Sequence, residues 1–135
     1  MSKFHSSYIK SLLAVETSED ISPGEVSYRA ESTPKQTFQL LRCGKIAIDK
    51  RYSLRGLQVS EAEKVLNEIM LNTQKASCYL LVHGKGIGSS KQKPKIKYLL
   101  QNKLCGHPQV IAYCEACAAD GGAGAMYVML SAYLR

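Results

Sequence analysis

The sequence predicts an α/β fold: a two-layer sandwich in which a mixed four-stranded sheet carries two helices, in the chain order β-α-β-α-β-β from about residue 46. Three observations carry this reading. Two stretches of helical apolar spacing alternate with short apolar runs of strand length. A strand–helix–strand order implies right-handed crossovers and partly parallel pairing. Two further apolar runs follow with only a glycine-rich loop between them, so they return antiparallel as a hairpin.

Taken in order, residues 1–34 are rich in Ser and Glu and contain the turn signal Pro23-Gly24. They read as a flexible extension with a short helix around Ser7–Val15. Residues 35–43 form a short lead-in helix after Pro34, stopped by Gly44. Ile46–Leu54 reads as a strand, closed by Gly56. Ser60-Glu-Ala-Glu63 has the form of a capping box. Ala62, Val65, Leu66, Ile69, Met70 and Thr73 then repeat at helical spacing. Cys78–Val82 is a continuous apolar run, as in a strand buried on both faces. Gly84–Ser90 is a loop. Pro94 suits the first turn of a second helix, with Ile96, Leu99, Leu100 and Leu104 inward and Gly106 at its end. Gln109–Ala118 and Ala125–Leu134 are the last two strands, joined through Asp120-Gly-Gly-Ala-Gly124. The domain proper is thus residues 35–135, including the lead-in helix.

Composition narrows the class. The 135 residues are 45% apolar, enough for a packed core. No apolar run reaches the ~20 residues of a membrane span, and the first residues lack the apolar region of a secretory signal. The expectation is a cytoplasmic protein with no membrane partner. Cys43, Cys78, Cys105, Cys114 and Cys117 are odd in number and irregular in spacing, which argues reduced thiols. Cys114-Glu-Ala-Cys117 has the spacing of half a zinc site but lacks a second pair. No metal ligand set is expected, and no tightly bound cofactor. Dependence on a divalent metal is left open.

The net charge of +7 is unevenly placed. Residues 1–34 are net negative. Between Glu68 and Glu115 there is no acid, only Lys75, Lys85, Lys91, Lys93, Lys95, Lys97 and Lys103. A one-signed stretch attracts a polyanion, and the common one is nucleic acid. Its alternative is a solvated lysine face.

Three glycine-bearing segments fall at predicted strand ends: Leu54-Arg-Gly-Leu57, His83-Gly-Lys-Gly86 and Gly121-Gly-Ala-Gly124. Glycine lets backbone amides approach a ligand closely, and open α/β sheets bind ligands at the carboxyl edge of their strands. Gly84-Lys-Gly-Ile-Gly88 is neither a Walker A loop nor a dinucleotide fingerprint. His83 follows a buried strand and precedes Lys85, so an imidazole able to move protons stands beside a cation able to stabilise a phosphate. The bland reading is a strand-end histidine bonded to backbone. His107 reads as structural and His5 as exposed.

Together the three segments resemble the Smr (small MutS-related) domain family. The likeness runs through Gly44-Lys-Ile-Ala-Ile-Asp-Lys-Arg-Tyr-Ser-Leu-Arg-Gly56, Val82-His-Gly-Lys-Gly86 and Gly121-Gly-Ala-Gly-Ala-Met-Tyr-Val128, over residues ~35–134. The resemblance implies a fold similar to the C-terminal domain of translation initiation factor three. It also implies a nucleic-acid endonuclease, acting on DNA or on RNA, with the ribosome or repair machinery as partner. The family's first motif usually reads Leu-Asp-Leu-His-Gly. Here Tyr52-Ser53-Leu54-Arg55-Gly56 places Ser53 at the aspartate and Arg55 at the histidine. Arginine is no general base, but it clamps phosphate. The expected catalytic set is therefore His83, Arg55 and Lys85. Ser53, Gly56, Gly84, Gly86, Lys91, Lys93, Lys95, Lys97, Gly122 and Gly124 are expected to bind nucleic acid, the glycines through their amides. The alternative is a nucleic-acid- or ribosome-binding module that has lost its chemistry along with the motif's usual Asp and His.

Overall fold

The computed structural model describes residues 27–84 and 95–134. The predicted helix around Ser7–Val15 lies outside them. A five-stranded sheet in the order β1-β4-β5-β3-β2 forms the body of the domain. The elements are β1 (Ser27–Arg29), α1 (Lys35–Arg42), β2 (Lys50–Ser53), α2 (Val59–Asn72), β3 (Ser77–Val82), α3 (Lys95–Leu104), β4 (Val110–Glu115) and β5 (Ala125–Leu130). Short 3-10 turns at Ala118–Asp120 and Gly122–Gly124 join β4 to β5.

The β2–β3 pair is parallel, as the α2 crossover between them requires. β5 inserts between β3 and β4 and is antiparallel to both. The mixed sheet of the sequence reading is therefore present, with one strand more. That strand, β1, comes from the segment expected to be loose. Its three residues pair antiparallel with Ala112–Cys114, and Tyr28 stacks on Tyr113 with ring centroids 5.6 Å apart. Pairing covers backbone groups that β4 would otherwise expose at the sheet edge. A strand this short leaves no periodic signal in a sequence.

The sheet is buried on both faces, so the sandwich has a third, smaller layer. On one face α2 and α3 pack Leu66, Ile69, Met70, Leu100 and Leu104 against Tyr79, Leu81, Met126, Val128 and Leu130. On the other, α1 packs Phe38, Leu40 and Leu41 with Cys78, Leu80, Ala112, Cys114 and Tyr127. Each such buried leucine stabilises the fold by roughly 1.5–3 kcal/mol. No disulfide joins the cysteines. Among the described residues no helix is long and apolar enough to cross a membrane.

β4 and β5 end at Glu115 and Leu130, short of the predicted Ala118 and Leu134, and three further features differ from the sequence reading. Only Lys50–Ser53 of the predicted strand Ile46–Leu54 is paired. Ile46 and Ile48 instead join the second core cluster, so their alternation reflects packing against the sheet. Asp49 starts the pairing: its amide donates to Cys78 O at 2.7 Å, and the Cys78 amide donates to its carboxylate at 2.8 Å. The capping box sits two residues earlier than predicted. Gln58 is the N-cap and its amide donates to Glu61 Oε1 at 2.9 Å. Leu57, partly buried against the core, fixes where the helix enters. Glu63 forms a close ion pair with Lys103 across α2 and α3.

The third difference is a bulge in β4. Val110 pairs with Leu130 but Ala112 with Met129, leaving Ile111 extra. Val110 and Tyr113 thereby reach the same core cluster. The bulged Ile111 carbonyl accepts from the Ala30 amide at 3.0 Å and the Thr33 hydroxyl at 2.9 Å. Buried side chains elsewhere are also matched. Gln109 Nε2 donates to Met70 O at 2.7 Å and Ser131 O at 3.0 Å, tying the end of α2 to the exit of β5. Thr73 Oγ1 donates to Ile69 O and meets the Tyr79 hydroxyl.

Candidate functional site

Strand direction alone brings the three glycine segments together. β2 and β3 run parallel, so their carboxyl ends lie side by side, with Ser53 opposite Val82. β5 runs against β3, so its first residue, Ala125, pairs with Val82. Leu54–Gly56, His83–Gly84 and Gly121–Gly124 therefore occupy one edge of the sheet. Backbone bonds lock them there. The Leu54 amide donates to Val82 O at 2.7 Å, and the His83 and Gly84 amides both donate to Gly124 O at 2.9 Å.

His83 sits at the centre of this edge and is only 7% exposed. Its Nδ1 lies 2.8 Å from Gly84 O. A carbonyl only accepts, so Nδ1 carries the hydrogen and the neutral ring presents Nε2 as its basic nitrogen. Burial pushes the His83 pKa below the ordinary value; the Gly84 bond opposes this, and the nearby charge of Lys97 adds to it. The ring is thus held in the tautomer a general base needs.

Arg55 is exposed and lies against Gly84. A β-carbon on Gly84 would stand 3.6 Å from Arg55 Cγ and 3.9 Å from Nε. Gly84 has φ +86° and Gly56 has φ +80°, a region that L side chains rarely adopt. Both turns are therefore tight enough to bring Arg55 beside Gly84, the second residue after β3. Ser53 is exposed one step before the end of this arrangement. Lys95 is exposed at the first position of α3, and Lys97 is half-buried and near His83. Lys85, Gly86, Lys91 and Lys93 lie outside the described residues.

One expectation is corrected. The amides of Gly84, Gly122 and Gly124 were expected to face a ligand, but each is engaged within the fold. Gly84 donates to Gly124 O, Gly122 to Cys117 O at 3.0 Å, and Gly124 to Gly121 O at 3.1 Å. Satisfying buried backbone donors outweighs leaving them open. These glycines shape the edge and leave its open surface to side chains, Ser53 and Arg55 among them. Among the described residues no group of three His, Cys, Asp or Glu is placed to hold a metal.

The sequence reading missed a second cluster behind this edge. The Tyr127 hydroxyl makes a short hydrogen bond to Asp120 Oδ2 and lies 3.0 Å from Cys117 Sγ. Burial and the Asp120 carboxylate raise the Tyr127 pKa strongly, so the phenol stays protonated. Asp120 Oδ1 lies 4.0 Å from Arg51. Gly44 passes so close that a β-carbon would stand 2.9 Å from Tyr127 Oη. No local spacing joins Cys117, Asp120 and Tyr127; the β4–β5 connection brings them together.

The Smr domain family model matches residues 52–131, from the first glycine segment through β5. This chain belongs to the Smr domain family. Curated relatives of this Smr domain include the ribosome rescue factors SmrB of Aliivibrio salmonicida (strain LFI1238) and Aliivibrio fischeri (strain MJ11). Each is 33% identical over 110 residues, covering 80% of this chain and 59% of the relative. The chain therefore spans less than two thirds of these relatives' length. Among solved structures, YdaL, a stand-alone small MutS-related protein from Escherichia coli, is similar with TM-score 0.53 and 26% identity. That likeness covers 79% of this chain and 83% of YdaL. The α/β class read from the sequence is the class of these Smr proteins.

Proposed function

We propose that this Smr domain binds RNA, including RNA on ribosomes, and cleaves it by transesterification at the edge formed by Arg55, His83 and Gly84. The observation carrying this reading is the placement of Arg55 against Gly84, one residue from an imidazole whose Nδ1 is already committed. Arg55 clamps the scissile phosphate and stabilises the charge that develops on it. His83 Nε2 takes the proton of the ribose 2′-hydroxyl. The 2′-oxygen attacks phosphorus and the bond to the 5′-oxygen breaks. That oxygen takes a proton from solvent, leaving a 2′,3′-cyclic phosphate and a 5′-hydroxyl. Lys85 is assigned to the same phosphate, and Lys91, Lys93, Lys95 and Lys97 to the flanking backbone. RNA supplies its own nucleophile, which suits a site with one base. The name carried by the SmrB relatives supports the ribosomal setting.

The test incubates the protein with end-labelled single-stranded RNA and with supercoiled plasmid, with and without EDTA, beside His83→Ala. RNA cleavage leaving a cyclic phosphate, lost in His83→Ala while affinity persists, is the expected result. EDTA decides whether a divalent metal takes part. The second reading is a binding module without chemistry. The exposed Ser53 favours it, because no carboxylate stands at that position to orient a base. Salt-sensitive binding with no cleavage in either protein would establish that reading instead.

A further inference from the structure

We infer that Arg51 is a second phosphate-binding position, and that with Ser53 and Arg55 it forms a track for single-stranded RNA along the outermost strand. The inference rests on the RNA reading above and extends it to a residue outside the glycine segments. Among the described residues β2 ends the sheet and pairs only with β3. Tyr52 and Leu54 turn toward the core cluster under α2 and α3. Alternation therefore sends Arg51 and Ser53 to the opposite face, and Arg55 follows in the turn that closes β2. Arg51 stands opposite Leu80 and Ser53 opposite Val82, both in the cluster under α1. At β2 that face is open: Ser53 and Arg55 are exposed, and the Arg51 side chain is 58% exposed.

Arg51 and Ser53 thus share one open face, and the exposed Arg55 stands in the turn just past its end. Arg51 lies two residues, roughly 7 Å, before the end of the strand, and Arg55 stands in the turn beyond it, a reach that a short run of single-stranded backbone bridges. Arg51 is aimed but unsaturated. Its described ion pair is the 4.0 Å contact to Asp120, whose other oxygen is held by Tyr127. A guanidinium has five donors, so it can engage a phosphate in the same fork. The other acid beside the strand, Asp49, is engaged by the Cys78 amide.

The experiment compares wild type, Arg51→Gln and Lys75→Gln. Lys75 precedes β3 at the end opposite His83 and is exposed, so its variant removes the same charge elsewhere. Binding of a labelled single-stranded RNA of about twelve nucleotides is read against salt. Arg51→Gln should weaken binding about fivefold and reduce the slope of log K against log salt by about 0.7, the value for one phosphate contact on a single strand. Lys75→Gln should change neither. Cleavage of a dinucleotide, too short to reach Arg51, should be unaffected in both. Arg51→Lys, which keeps the charge, should keep the slope. Wild-type slope in Arg51→Gln, an equal loss in Lys75→Gln, or slope lost in Arg51→Lys would each overturn the track. If wild type binds the long RNA while Arg51→Gln binds as well, the track fails alone. If wild type binds no RNA, both readings fall.

Discussion

Arg55 lies across the α-carbon of Gly84, with Cγ 3.6 Å from the position a β-carbon would take. Two residues from different glycine segments thus meet because their strands are parallel neighbours. Gly84 is required less for space than for conformation, since 3.6 Å is an ordinary contact but φ +86° is a strained one for any side chain. Gly84→Ala should cost about 1–2 kcal/mol in urea unfolding. It should also weaken RNA binding, because the strained turn carries both His83 and the surface against which Arg55 rests. Wild-type stability in Gly84→Ala would show that the turn tolerates the side chain.

The acid limb of cleavage should report His83. A general base must be neutral, so kcat/KM falls as pH drops through its folded pKa. Burial lowers that pKa, which places the midpoint below the ordinary 6.5. The same shift affects stability with a definite sign. Between the unfolded and the folded pKa the unfolded chain binds the extra proton, so stability falls as pH drops below about 6.5. His83→Gln should flatten this part of the stability–pH curve. An acid midpoint above 6.5 in wild type would contradict the assignment.

Gly44 and Tyr127 make a second test of packing. Gly44→Ala puts a β-carbon 2.9 Å from Tyr127 Oη and 3.1 Å from Cys117 Sγ, at φ +70°. The expected cost is about 2–3 kcal/mol from crowding and strain together. Tyr127→Phe alone should cost about 1–2 kcal/mol through the lost bond to Asp120. The double variant should be more stable than the two costs added, because removing the hydroxyl relieves the closest contact. Strict additivity in urea unfolding would exclude that mechanism.

Gln109 clamps two elements that are distant in sequence. Its amide nitrogen reaches the Met70 and Ser131 carbonyls at 2.7 and 3.0 Å. Gln109→Leu leaves both without this donor and should cost about 2–3 kcal/mol. Hydrogen exchange should quicken at the end of α2 and after β5, while the Arg55–His83 edge keeps its RNA affinity. Loss of affinity as large as that of Gly84→Ala would tie the clamp to the site.

Much of this molecule was legible in the sequence because its signals are local. The apolar run of β3, the helical spacing of α2 and the glycines at Gly56 and Gly84 each need only near neighbours to be read. Alternating strand and helix then implied the parallel β2–β3 pair, and with it the shared edge of Arg55 and His83. The tertiary structure decided what depends on distant partners. Ser27–Arg29 became a strand because β4 presented an open edge. Ile46 and Ile48 became core cover because β3 lay beneath them. The glycine amides turned inward because backbone carbonyls stood within reach. Arg51 is left open because β2 is the last strand of the sheet. Local spacing sets which way a side chain alternates; only the assembled sheet sets whether that direction is core, neighbour or open solvent.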